Sequence, residues 1–349
     1  MKYLKYLLIF IPISIICKFL KFNESWIFFL SAVAIIPLAG IMGEATEEIS
    51  AYSGPRIGGF LNATFGNATE LIISFFALKE GLFDVVKASI AGSVIGNILL
   101  VLGASMFIGG LKYKTQKFNK NAVNVSSSML LFAVIGLSIP AIFTHTINAK
   151  LLNTSKYEGL SIGVAVIMFI IYLLGLVFSF YTHKDLYGSE HQEEAKEPKW
   201  SIWFSIIVLI IVTAGIAVES ELLVGSVESV TNTLGLSQFF VGIILIPIVG
   251  NAAEHSTAVM MSIKDQMDVA VEIAIGSSLQ IILFVAPILI LLSLLFKPMS
   301  IIFNEFELIS LIASVLIANR VSSDGESNWL EGVQLIAVYF VIAIAFLIL

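Results

Sequence analysis

The sequence predicts an all-α polytopic membrane protein of about 11 transmembrane helices: one peripheral helix plus two inverted five-helix repeats. Three observations predict it. The 349 residues are 58% hydrophobic and 13% charged, with a mean hydropathy of +0.98, and soluble domains carry nearer a quarter charged residues. Apolar runs of roughly 20 residues, enough to cross the hydrocarbon core as helix, recur along the whole length. A short polar motif inside an apolar segment also occurs twice, as Gly66-Asn67-Ala68-Thr69-Glu70 and Gly250-Asn251-Ala252-Ala253-Glu254. A β-barrel would alternate apolar and polar residues, and these runs do not. The net charge of −6 argues against a nucleic-acid partner. Cys17 is the sole cysteine, so no internal disulfide forms.

Taken in order, the expected spans are residues 4–20, 25–43, 58–78, 87–111, 125–145, 158–181, 201–218, 236–262, 268–296, 303–319 and 329–349. The first has the basic, then apolar, look of a signal peptide but lacks an A-x-A cleavage pattern, so it reads as a retained helix. The second is expected to continue as helix to about Ser50. A polar segment, 182–199, separates spans six and seven and includes Glu190, Glu193, Glu194 and Glu197. It reads as a solvated cytoplasmic linker, or as an acidic segment that gathers cations. With eleven spans, the side shared with the N-terminus holds twelve of the nineteen Lys and Arg residues, which places the N-terminus in the cytoplasm and the C-terminus outside.

Aligning residue i with i+184 over Gly66–Gly103 gives eleven identities in 38 positions without a gap, including Gly66, Asn67, Ala68, Glu70, Asp84, Val85, Gly92 and Ser93. Upstream, Glu44 aligns with Glu228 and Gly58 with Gly242. The repeat unit is therefore larger than the motif, spans two to six and seven to eleven. Five spans is an odd number, so the two units insert with opposite topology, and such repeats carry a shared site near the bilayer midplane. The expected divisions are 1–22 for the peripheral helix, 24–181 for the first repeat, 182–199 for the linker and 200–349 for the second repeat.

In each motif the Asn and Glu are three residues apart and share a helix face. A preceding Gly, with Pro247 in the second copy, favours a local break that frees backbone carbonyls. Glu70, Glu254, Asn67, Asn251 and the backbone at Gly66 and Gly250 thus offer a hard, oxygen-only ligand set, of the kind Ca2+ takes with six to eight oxygens. Two carboxylates also balance a divalent charge. The plainer alternatives are structural carboxylates, paired or protonated, and asparagines that cap broken helices.

Around this core, Ser93 with Asn97 and Ser277 with Gln280 share faces on the second helix of each repeat, either lining the site or bonding helix to helix. Gly92 and Gly276 are expected to allow close helix contact. His255, whose repeat counterpart is Leu71, is either a proton relay or a packing residue. Glu44, Glu47 and Glu48 share a face, as a solvated helix end or a cation entrance. Asp84 and Asp268 match across the repeat in the loops or first turns before spans four and nine, where an N-cap role suits them at least as well as a transport role. Glu254-His255 lacks the second histidine of a metalloprotease motif, and there is no Walker A sequence, so the chain reads as a transporter and not an enzyme.

These motifs resemble the two α-repeats of the Ca2+/H+ antiporters, the cation/proton exchanger branch of the calcium/cation antiporter superfamily. Gly92-Ser93 with Asn97, Gly276-Ser277 with Gln280, and Gly325-Glu326-Ser327-Asn328-Trp329 with Glu331 are similar to further segments of that family. The resemblance implies one peripheral helix and ten in two inverted bundles. It implies that Glu70 and Glu254 bind Ca2+ from opposite sides and exchange it for protons, and that Asn67, Asn251 and the backbone at Gly66 and Gly250 complete the coordination. It also points to a bacterial-type protein of the plasma membrane. The expected partners are Ca2+ and H+ as substrates and the lipid bilayer, with further copies of the chain left open and no cofactor. Carboxylates left unpaired in low dielectric take up protons, so competition for the same oxygens would couple the two fluxes. The competing expectations are a Mn2+ or Na+-coupled exchanger and a passive cation channel.

Overall fold

The computed structural model describes residues 4–146, 155–183, 186 and 198–348. In chain order the elements are a 3-10 turn Leu4–Ile9 leading into α1 (Phe10–Phe19), α2 (Glu24–Phe65), α3 (Ala68–Lys79), α4 (Phe83–Tyr113), β1 (Thr115–Lys117), α5 (Lys120–Thr146) and α6 (Ser155–Val177). The second half supplies α7 (Ile202–Gly225), α8 (Val227–Leu234), α9 (Gln238–Gly250), α10 (Ala252–Ile263), α11 (Met267–Ser293), α12 (Glu305–Val321), β2 (Glu326–Asn328) and α13 (Trp329–Ile348). The protein is an all-α polytopic membrane protein. Among the described residues, seven helices are long and apolar enough to cross a membrane, and the bent pair α9 and α10 makes an eighth.

The other three of the eleven expected spans are present as short or interrupted helices. They are α1, the stretch Ile57–Lys79 broken at Gly66 and Asn67, and the 17-residue α12. α2 runs on past Ser50 to Phe65, so spans two and three are joined by helix rather than a loop. That helix is not straight. Ser50 Oγ donates to Gly58 O at 3.1 Å, whereas eight residues of straight α-helix rise about 12 Å. Gly54-Pro55 lies between them, and proline cannot donate the helical N–H.

The duplication seen in the sequence reappears in the elements. α3, α4 and the regular helix after the interruption of α4 begin at Ala68, Phe83 and Leu102; their partners begin at Ala252, Met267 and Ala286, each 184 residues later. α4 and α11 each carry a π-type interruption, at Gly96–Val101 and Ile281–Val285. Such bulges recur at functional sites.

The chain forms two compact units, and each draws on both halves of the sequence. The first comprises residues 1–89 and 188–254. Its core is the packing of α2 on α7, where Leu38 and Met42 meet Val212 and Ile216, with Ala68 from the start of α3. Asn23 and Ser201 start these two helices, accepting from the backbone N–H of Ser25 and Phe204. α1 packs against both, with Ile11 on the cluster.

The second unit comprises residues 90–187 and 255–348. Here α4 crosses α13 at glycines. A Cβ on Gly332 would come within 2.3 Å of the Phe107 backbone nitrogen and 2.5 Å of Gly103 O. Small residues let membrane helices approach this closely. The ends of the two helices are tied by strands that the sequence did not suggest, β1 pairing antiparallel with β2, Gln116 opposite Ser327. Asn328 then starts α13, its side chain accepting from the N–H groups of Leu330 and Glu331, while Glu331 accepts from the Asn328 N–H. The expected N-cap aspartates sit instead inside the first turns. Asp84 pairs with Lys87 at 3.5 Å, and Asp268 accepts from the backbone N–H of Asn119. The acidic residues of the 182–199 segment, Glu190, Glu193, Glu194 and Glu197, lie outside the described residues.

The expectation for Gly276 is corrected: a Cβ there meets nothing within 4 Å, so it is not a close-contact glycine. The contrast predicts that Gly332→Ala lowers stability by about 1–3 kcal/mol, the cost of overpacking, while Gly276→Ala leaves it unchanged. Thermal unfolding of both variants in detergent checks this.

Candidate functional site

The two motifs meet inside the first compact unit. α2 ends at Gly66, Asn67 takes a non-helical turn conformation (φ −100°, ψ 22°), and α3 begins at Ala68. This puts Glu70 in the first turn of α3, where a helix N-terminus favours a carboxylate. In the second copy α9 ends at Gly250, Asn251 turns (φ −93°, ψ 7°), and α10 departs at 60° with Glu254 in its first turn. Pro247 lies just before that break, and the helix upstream of it is widened by a π segment at Val241–Leu245.

Glu70 reaches across to the other motif. A Cβ built on Gly250 would stand 3.0 Å from Glu70 Oε1 and 3.4 Å from its Cδ, so the absence of a side chain at 250 makes room for the carboxylate. Glu70 is 5% exposed, and its Oε2 is buried without a hydrogen-bond partner among the described residues. Glu254 is half-buried in the first turn of α10.

The asparagines lie with them, Asn67 at 1% and Asn251 at 0% exposure. Asn67 occupies the N-cap position of α3, and its side chain makes no capping hydrogen bond. Asn251 donates Nδ2 to Pro247 O at 3.0 Å, and its backbone N–H reaches the same oxygen at 3.0 Å. No group of three or more His, Cys, Asp or Glu suited to a metal occurs among the described residues. A cation bound here would therefore be held by two carboxylates together with amide and backbone oxygens, a set that suits a hard cation.

The accessory residues gather in the second unit. Asn97 Nδ2 donates to Ser277 Oγ at 3.1 Å, and Asn97 Oδ1 lies 3.1 Å from His255 Nε2. An amide oxygen only accepts, so His255 carries its hydrogen on Nε2. The expected bonding from helix to helix is therefore present, and it joins the copies: Asn97 comes from the first, and His255 and Ser277 from the second. Ser93 is buried and Gln280 half-buried on the same two helices.

Glu47 stays outside the buried group, exposed on α2. Its neighbour Glu48 accepts from the backbone N–H groups of Lys199 and Trp200 at 2.8 and 2.9 Å, fixing the approach to α7. Sequence reasoning passed over Glu219, fully buried on α7. The seventh apolar run was ended one residue before it, and the signal that would have found it is an ionisable residue at the edge of an apolar span.

The sequence profile of the sodium/calcium exchanger protein family matches residues 24–181 and 204–348. A Ca2+/H+ antiporter of Synechocystis is 46% identical, with 97% of this chain and 95% of that protein covered. The Ca2+/H+ antiporter ChaA of Bacillus subtilis is 47% identical, with 97% of each covered. The solved structure of native YfkE superposes with a TM-score of 0.86 at 43% identity, over 99% of this chain and 100% of that one. The crystal structure of the H+/Ca2+ exchanger CAX, at 14% identity and a TM-score of 0.74, shares the fold.

The amide bridge predicts that nitrogen NMR of His255 reports the Nε2–H tautomer. Asn97→Leu should release that preference and cost about 1–3 kcal/mol, as a buried donor loses its partner.

Proposed function

Because the chain belongs to the sodium/calcium exchanger family, we propose that it is a secondary-active antiporter exchanging Ca2+ for H+ and extruding cytosolic Ca2+ by alternating access. The observation that carries this reading is the approach of the Glu70 carboxylate to Gly250 of the second motif. Two carboxylates from matching helix breaks face one small volume, where a divalent cation neutralises both and its departure leaves both needing protons. The near-full-length similarity to proteins named Ca2+/H+ antiporters supports the same assignment.

In this reading Glu70 and Glu254 bind Ca2+ and protons in turn. Asn67, Asn251 and the backbone at Gly66 and Gly250 supply neutral oxygens. His255, held by Asn97, which in turn bonds to Ser277, passes protons to the Glu254 side, since the two residues are adjacent in the chain. Residues 24–181 and 200–349 act as the inverted repeats, residues 1–22 as a peripheral helix and 182–199 as a cytoplasmic linker. We read the chain as a plasma-membrane protein, and the lysine and arginine bias supports a cytoplasmic N-terminus and an external C-terminus. A passive channel is disfavoured by the depth at which Glu70, Asn67 and Asn251 are enclosed.

Everted vesicles with an imposed pH gradient test this directly. Wild-type protein should take up Ca2+, a Na+ gradient should not substitute, and Mn2+ added as a competitor measures selectivity. Glu70→Gln and Glu254→Gln should each abolish uptake while the protein remains folded. Robust uptake by either variant would overturn the shared site. Gly250→Ala, which presses a methyl group against Glu70, should reduce Ca2+ affinity by about tenfold or more, roughly 1.4 kcal/mol. His255→Gln should alter the pH dependence of transport, and an unchanged profile would remove the relay role.

A further inference from the structure

Glu219 has no part in the exchange site, yet it is one of the most enclosed carboxylates in the chain. It sits on α7, 0% exposed, at the point where α1 and α2 pack against that helix. Ser14 of α1, also 0% exposed, places Oγ 2.8 Å from Glu219 Oε1. Glu219 Oε2 is buried without a hydrogen-bond partner among the described residues. Among the described residues, Lys18 of α1 pairs with Glu24 of α2 at 3.8 Å, and Lys79 of α3 with Glu221 of α7 at 3.9 Å.

The geometry at Ser14 bears on the state of this group. Its Oγ lies 2.8 Å from Glu219 Oε1 and also 2.8 Å from Ile11 O, one turn back on α1. A serine hydroxyl has one hydrogen, and a carbonyl oxygen cannot donate. Both contacts are full, unshared hydrogen bonds at once only if the carboxyl group supplies a hydrogen of its own, with Ser14 accepting it and donating to Ile11. A carboxylate left charged, buried and without a cation would be costly, and neutralisation removes that cost.

We propose that Glu219 is a proton-binding site separate from the exchange site, occupied at neutral pH, whose proton holds the first helix α1 against α7. Proton loss would leave a bare charge between α1 and α7 and loosen α1. The inference does not depend on Ca2+ exchange.

Cys17, the sole cysteine and a half-buried residue of α1, provides a native reporter. Maleimide labelling of the purified full-length chain is compared with that of Glu219→Gln at each pH, so that thiol ionisation cancels in the ratio. The ratio should be one at neutral pH and rise on the order of tenfold at alkaline pH, as only the wild type can become charged. Infrared difference spectra should show a carboxylic-acid C=O band at neutral pH that is absent from Glu219→Gln, and that variant should still take up Ca2+. Ser14→Ala should raise Cys17 labelling at neutral pH, and it carries the test if the glutamine variant does not fold. A labelling ratio of one at every pH, a missing carboxylic-acid band, or Ser14→Ala labelling at the wild-type rate would each overturn the proposal.

Discussion

The first unit depends on a carboxylate being brought to a backbone. Burying an ionised group without a partner costs several kcal/mol, so Glu70 is tolerable at 5% exposure only because of what surrounds it. Two features bring this about. The helix breaks at Gly66-Asn67 and at Asn251 start new helices whose first turns carry the glutamates. The bare face of Gly250 then lets Glu70 approach the opposite motif. The long packing of α2 on α7 and the bend between Ser50 and Gly58 bring the first break into place. A regular helix through either motif would turn its carbonyls back into the helical ladder and leave nothing but carboxylates to offer a cation.

The second unit solves a different problem. At its centre the polar groups bond to one another, Asn97 to Ser277 on one side and to His255 on the other. The helices that carry Asn97 and Ser277 are each widened by a π segment, at Gly96–Val101 and Ile281–Val285. Around this centre the packing is as tight as backbone allows, with Gly332 against the Phe107 and Gly103 backbone. Tight glycine contacts and a satisfied polar bridge favour one fixed arrangement.

Much of this was legible before any coordinates. The apolar runs placed the helices, and the 184-residue offset identified both motifs, because repetition of polar residues in an apolar chain is hard to produce by bias alone. Less visible were features that depend on contact with distant segments. The continuation of α2 beyond Ser50 to Phe65 was not foreseen, since the bend that carries it depends on contact between Ser50 and Gly58. The pairing of Thr115–Lys117 with Glu326–Asn328 has no alternating pattern long enough to announce a strand. Glu219 lay at the edge of a run whose end was drawn by hydropathy. Gly276 was read as a packing residue from its type, and type does not say whether a neighbour is present.

The partnership of Asn97 with His255 gives the duplication a further meaning. An assembly of two identical chains about a two-fold axis must repeat every residue, so a histidine beside one glutamate would have to appear beside the other. A fused chain carries no such obligation. Here position 71 is leucine where 255 is histidine, and 96 is glycine where 280 is glutamine. Joining the halves in one polypeptide therefore freed each copy to specialise, and a histidine on one copy, held by an asparagine of the other, is an arrangement that a symmetric ancestor could not have tried on one side alone.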